Sequence, residues 1–176
     1  LEGYLWDPPN AKKAFLEAIN IAKASNTKVA LSLSDAFCVD RYRSEFLDLV
    51  RTHVDILFGN ETEILSLYQT ENLNEATELV QDDCEIVAVT RDSRGSIVIE
   101  NRRVFEIAAQ KIDTVIDTTG AGDLYASGFL YGMTRDMDIR QCGRLGGLAA
   151  SSIITQFGAR PEECLMPLID RVSESN

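Results

Sequence analysis

Apolar positions along this chain fall into two rhythms, and the rhythms alternate. After the start signal Asp7-Pro8-Pro9-Asn10, the residues Ala11, Ala14, Phe15, Ala18, Ile19 and Ala22 recur at helical spacing and predict an amphipathic helix. Residues 28–34 (KVALSLS) are β-rich, and residues 40–51 predict a helix with Phe46, Leu47 and Val50 turned inward. Residues 54–58 (VDILF) predict a strand that runs into a helix starting close to Asn60. A helix over 74–81 feeds the strand 86–90 (IVAVT), and 97–99 with 104–107 read as an antiparallel pair around Asn101. Residues 114–117 read as a last short strand. Helices follow over 122–133 and 138–156, and Pro161 opens a terminal one.

Strands alternating with helices predict an α/β fold, a mainly parallel sheet with helices on both faces. The 176 residues suit a single domain. Residues 1–6 (LEGYLW) read as the end of an apolar strand. A strand beginning at residue 1 with no turn before it suggests that a segment normally precedes it.

Composition narrows the functional classes. Acidic residues outnumber basic ones, 28 to 17, for a formal net charge of −11. Such a surface repels a phosphodiester backbone, so nucleic acid is not an expected partner. Mean hydropathy is −0.08, and no apolar run approaches the ~18 residues of a membrane span. No membrane partner is expected, and a cytoplasmic location is the simplest expectation. The four cysteines lie far apart without a CxxC pair, which argues against a disulfide framework or zinc site. The single histidine, His53, has no nucleophile near it in sequence and reads as structural.

The chemistry concentrates in Asp117-Thr118-Thr119-Gly120-Ala121-Gly122-Asp123, followed by an apolar helix. Gly120 and Gly122 permit a tight turn whose amides point one way, at a helix start where unpaired N–H groups favour an anion. The pattern is neither GxxxxGK[ST] nor GxGxxG. Asp123 places a carboxylate beside this anion cradle. It either caps the helix or takes the proton of a hydroxyl attacking a bound phosphate. Asn60 and Glu63 likewise stand at a helix start, where they suit a hydrated Mg²⁺ or a capping box. Spacing alone favours the box.

The segment from Asp117 to Leu130 resembles, at every defined position, the second signature of the ribokinase-like (PfkB) carbohydrate kinases. That resemblance implies that Asp123 is the general base and that Gly120, Ala121 and Gly122 form the anion hole for the transferred phosphoryl group. Asn60 and Glu63 match the family's N-x-x-E motif, which helps hold Mg²⁺ and the nucleotide phosphates. The wider string 55–63 (DILFGNETE) resembles the same segment of animal adenosine kinases. Thr90 and Gly95 match the ends of a T-x-G-x-x-G loop that borders the nucleotide, with Asp92 in place of the middle glycine. Residues 32–37 (SLSDAF) resemble an NLSAPF-like stretch in which Ser32 replaces Asn and Asp35 is inserted. The helix containing Ala149 and Ala150 matches the one bordering adenine, and Gly147 stands where many members place His or Asn. Asp117 and Thr119 match ligand positions for a monovalent cation, K⁺, and Glu162 stands where members often have Ser.

The resemblance covers essentially the whole chain but only the C-terminal part of a family member. The Gly-rich first signature, the lid strands and the acidic residue gripping the sugar hydroxyls have no counterpart. The implied reaction is transfer from ATP, with Mg²⁺, to the primary hydroxyl of a ribosyl substrate. The implied partner is a small sugar or nucleoside acceptor, and a homodimer is a possible assembly. A kinase for a free sugar and a shortened chain that binds nucleotide without turnover are the alternatives. The 176 residues by themselves are expected to turn over little.

Overall fold

Pro9 suits the first turn of a helix, where its missing N–H has no intrahelical partner to lose, and α1 runs from it as Pro9–Ala24. The computed structural model describes residues 1–173. The order continues β1 (Ala30–Ser32), α2 (Ala36–Arg41), α3 (Arg43–His53), β2 (Ile56–Asn60), α4 (Glu61–Tyr68) and α5 (Leu73–Asp83). Then come β3 (Ile86–Thr90), β4 (Ser96–Glu100), β5 (Arg103–Ile107), α6 (Ala121–Met133), α7 (Ile139–Ile153) and α8 (Leu168–Ser173).

The strands form one sheet in the order β1-β2-β3-β4-β5. β1, β2 and β3 are parallel, with Leu31 opposite Leu57 and Leu57 opposite Val87. β2 and β3 are buried at consecutive positions rather than alternate ones, as strands covered on both faces are. β4 and β5 are joined by Asn101 and Arg102, both with positive φ (+50° and +64°). That is the backbone of a two-residue hairpin turn, which makes the pair antiparallel.

The chain divides into two compact units. One comprises Leu1–Thr90 with Ile99–Val104, and its buried residues include Leu31, Phe46, Leu57, Ile64, Leu67 and Val87. The other comprises Arg91–Val98 and the chain from Phe105 onward. There α6 and α7 lie along one another with glycines at the contact. A Cβ on Gly128 would meet the Leu145 carbonyl oxygen at 2.7 Å, and one on Gly146 would meet the Tyr125 carbonyl oxygen at 2.8 Å. Leu145, Leu148 and Val172 form a further cluster with Tyr131, Met137 and Leu168.

The structure corrects several sequence expectations. Residues 1–6 are not a strand. Leu1 lies beside β1, where its carbonyl accepts from the Ser32 amide (2.9 Å), and Glu2 makes one parallel bridge to Ser32. Gly3 then approaches the Leu33 backbone too closely for any Cβ, and Gly3–Trp6 turns into a 3-10 helix. That turn buries Trp6 against Phe15 (5.3 Å between centroids) and Phe46 (5.9 Å), so side-chain burial outweighs strand alternation. The helix expected over 40–51 is two, because Asp35 caps an earlier start through the Phe37 and Cys38 amides. Leu49 rather than Leu47 is buried there. Ala14 and Ala18 are exposed on α1, whose buried side chains are Phe15 and Ile19. Residues 114–117 pair with no strand; the Ile116 amide instead donates to the Ile154 carbonyl at 2.8 Å. Pro161 opens no helix, and α8 begins at Leu168.

Candidate active site

Gly120 is the N-cap of α6 and has φ +82°, the left-handed conformation that favours glycine. A Cβ there would also meet the Ala159 Cβ at 2.8 Å. Gly122 differs: its φ is not left-handed, and a Cβ on it would meet nothing within 4 Å. The turn therefore requires glycine at 120, whereas at 122 glycine leaves open space in front of the helix start. The Ala121 amide donates to the Thr118 carbonyl (3.1 Å) and the Leu124 amide to Gly120 (2.9 Å). Among the described residues the Gly122 and Asp123 amides have no acceptor. They are the orphan donors of a helix N-terminus, free to face an anion. Ala121 thus contributes shape to the cradle, but its amide is already spent.

Asp123 is exposed, and among the described residues it has no hydrogen-bond or ion-pair partner. It does not cap α6, which has no side-chain cap. An unengaged carboxylate beside unengaged amides can accept a proton while the amides hold an anion.

Asp117 fixes the loop in front of this helix. Its Oδ1 accepts from the Thr119 amide (2.9 Å) and hydroxyl (2.6 Å), and its Oδ2 accepts from the Gly158 amide (2.9 Å). The Thr119 hydroxyl, then Gly158 and the Thr119 amide, hold the Asp117 carboxyl below its ordinary value. Gly158, with φ +83°, carries no signal in its own sequence neighbourhood. Both Asp117 oxygens and the Thr119 hydroxyl are thereby engaged in tying loop to loop.

Asn60 and Thr90 end β2 and β3 and are opposite each other in the parallel register. Asn60 caps α4 in a complete capping box. Its Oδ1 accepts from the Glu63 amide (2.9 Å), its own amide donates to Glu63 Oε2 (2.9 Å), and its Nδ2 donates to Oε1 (2.8 Å). Glu63 is 6% exposed. Burial pushes its carboxyl up, the Asn60 backbone bond opposes this, and the nearby Asp35 and Glu2 charges add to the rise. No group of His, Cys, Asp and Glu among the described residues could enclose a metal. Direct ligation by Glu63 does not fit, since both oxygens are held by Asn60. A hydrated ion held through water at the exposed Asn60 does.

The turn after β3 is closed by the Arg91 amide donating to the Gly95 carbonyl (2.7 Å). Gly95 has φ +83°, and a Cβ on it would fall on the Ile107 carbonyl oxygen, so close backbone packing alone requires this glycine. Asp92, in the place of the family's middle glycine, has φ +50°. On α7, Ala149 is buried and Ala150 half-buried, while a Cβ on Gly147 would meet nothing within 4 Å. Open space at Gly147 leaves room there for a larger side chain.

A glycine-turned helix start with spare amides sets room for an anion beside a carboxylate that could accept a proton. Residues 1–164 match the pfkB family of carbohydrate kinases, and the chain belongs to that family. It is 48% identical to the adenosine kinase from Sinorhizobium meliloti, with a TM-score of 0.93 over 97% of this chain and 52% of that one. A probable sugar kinase from Rhizobium etli is also 48% identical, with a TM-score of 0.94 over 98% of this chain and 52% of that one. A protein of Archaeoglobus fulgidus described as an uncharacterized sugar kinase is 36% identical over 65% of this chain and 45% of its own length. The chain thus spans about half the length of the curated relatives it matches.

Proposed function

We propose that these residues are the C-terminal, nucleotide-binding and catalytic portion of a longer kinase that phosphorylates the primary hydroxyl of a ribosyl substrate, adenosine. The unpartnered Asp123 beside the unengaged Gly122 and Asp123 amides carries this reading. Asp123 accepts the proton of the attacking hydroxyl. The hydroxyl oxygen bonds to the γ-phosphorus of ATP as the bond to the bridging oxygen breaks, and ADP leaves. The Gly122 and Asp123 amides, with the turn set by Gly120 and Ala121, stabilise charge on the transferring group, a contribution that is usually large. Thr90 and Gly95 border the nucleotide, and Ala149 and Ala150 border adenine. Asn60, fixed in place by Glu63, would hold Mg²⁺ through water, and that metal would neutralise phosphate charge. Asp117 and Thr119 fix the cradle loop and are the side chains that would meet K⁺.

The adenosine kinase of Sinorhizobium meliloti supports adenosine as the acceptor. The sugar kinases of Rhizobium etli and Archaeoglobus fulgidus support the second reading, a free sugar. The test is turnover of the longer protein with adenosine and with ribose, for the parent and for Asp123→Asn. Adenosine turnover is expected, falling by ~10²–10⁴ in the variant, the scale of a general base. Parent-like turnover by Asp123→Asn would sink the assignment of the base. Ribose turnover without adenosine turnover would replace the substrate.

A further inference from the structure

Tyr125 is 4% exposed, and its hydroxyl donates to Ser96 Oγ at 2.8 Å. Ser96 is 2% exposed, so neither hydroxyl has water to turn to. Burial pushes the phenol up to about 12, with the Ser96 bond opposing, so it remains a neutral donor at working pH.

The two residues belong to elements with different tasks. Tyr125 lies in the first turns of α6, just past Asp123. Ser96 follows Gly95, which ends the turn at 91–95 and is wedged against the Ile107 and Ala109 backbone. The ring of Tyr125 stacks on Phe129 (6.3 Å between centroids). Gly146 makes room for it, since a Cβ there would meet the ring at 3.2 Å. At about 100° per residue, Asp123 and Tyr125 point to nearly opposite sides of the helix. Tyr125 faces inward and Asp123 faces solvent. A phenylalanine would fill the same ring volume, so the directional contact comes from the hydroxyl alone.

We propose that Tyr125 is a positioning residue: its hydroxyl on Ser96 fixes the rotation of α6 against the turn at 91–95, and so the direction of Asp123 and of the Gly122 and Asp123 amides. The inference rests on Asp123 being the base. Apolar packing is non-directional and tolerates small rotations of a helix, whereas a hydrogen bond has a preferred angle. Phosphoryl transfer is far less tolerant, because a displacement of about 1 Å can cost ~10²-fold in rate.

The experiment uses the longer kinase with Tyr125→Phe, Ser96→Ala, the double variant and Asp123→Asn. Tyr125→Phe and Ser96→Ala are each expected to lower kcat by about 5- to 50-fold while KM for ATP stays within about twofold. That is the pattern of a loss felt in the transition state. Tm should fall in each single variant, where one buried hydroxyl loses its partner. It should largely recover in the double variant, where the buried Ser96 hydroxyl has also gone and no side-chain oxygen is left unsatisfied. kcat should not recover with it. Recovery of kcat alongside Tm would show that the bond serves stability only, and parent-like kcat in both single variants would overturn the proposal as well. Should Tyr125→Phe fail to fold, Ser96→Ala decides by the same criterion. A parent-like Asp123→Asn would mark failure of the reading beneath. An inactive Asp123→Asn beside a parent-like Tyr125→Phe would mark failure of this inference alone.

Discussion

Asn60 and Thr90 face each other across β2 and β3, each as the last residue of its strand. The carboxyl ends of parallel strands are where α/β sheets receive ligands, because the chain there leaves the sheet and exposes backbone and helix starts. From Asn60 the chain enters α4 through a capping box, and from Thr90 it enters the turn at 91–95. One register thereby sets Asn60 beside Thr90, two residues that lie far apart in sequence.

The glycines of the cradle should separate in their effects. Gly122→Val is expected to fold with parent-like Tm, since a Cβ there meets nothing within 4 Å, yet to lose most turnover because the branched side chain fills the open space. Gly120→Val should instead destabilise by more than about 1 kcal/mol, from the left-handed φ and the clash with Ala159. Thermal unfolding and turnover of both variants check this. Full activity in Gly122→Val would mean that the phosphate lies elsewhere.

Glu63→Gln should raise the Mg²⁺ concentration needed for half-maximal rate. It should also lower stability by about 1–3 kcal/mol, because one of the two Asn60 donors would face an N–H instead of an oxygen. A Mg²⁺ titration and a denaturant unfolding curve read the two effects separately. Lost stability with an unmoved Mg²⁺ requirement would leave Glu63 as a capping residue only.

Asp117 links the cradle to acid sensitivity. Its folded carboxyl lies below the ordinary value, so it contributes stability above roughly pH 4 that is lost as pH falls through the lower folded value. In Asp117→Asn an N–H replaces an oxygen that accepts from Thr119 or from Gly158. The Tm difference between parent and variant should be full at pH 7 and shrink on acidification below about pH 4. A difference independent of pH across that window would contradict this account.

Asp92 holds φ +50° where glycine carries no Cβ penalty. Asp92→Gly should therefore stabilise the protein by about 0.5–1 kcal/mol, net of the added freedom of the unfolded chain. Gly95→Ala, by contrast, should be strongly destabilising, since its Cβ falls on the Ile107 carbonyl oxygen. Urea unfolding of the two variants checks the pair.

The sequence by itself determined what depends on neighbours along the chain. Gly120 to Asp123 mark a helix start because turn geometry and orphan amides are local, and Asn60 with Glu63 announces a cap for the same reason. The parallel order of β1, β2 and β3 also follows from alternation of strand and helix. Only the tertiary structure decided what depends on residues far apart. Residues 1–6 have strand-like composition, but burial of Trp6 against Phe15 and Phe46 turns them into a 3-10 helix. Residues 114–117 look like a strand, yet their backbone bonds go to the end of α7. Gly158 has no visible signal because its partner Asp117 is distant in sequence. The Tyr125–Ser96 bond is hidden likewise: an apolar helix shows that a tyrosine is buried, but only packing decides which group its hydroxyl meets.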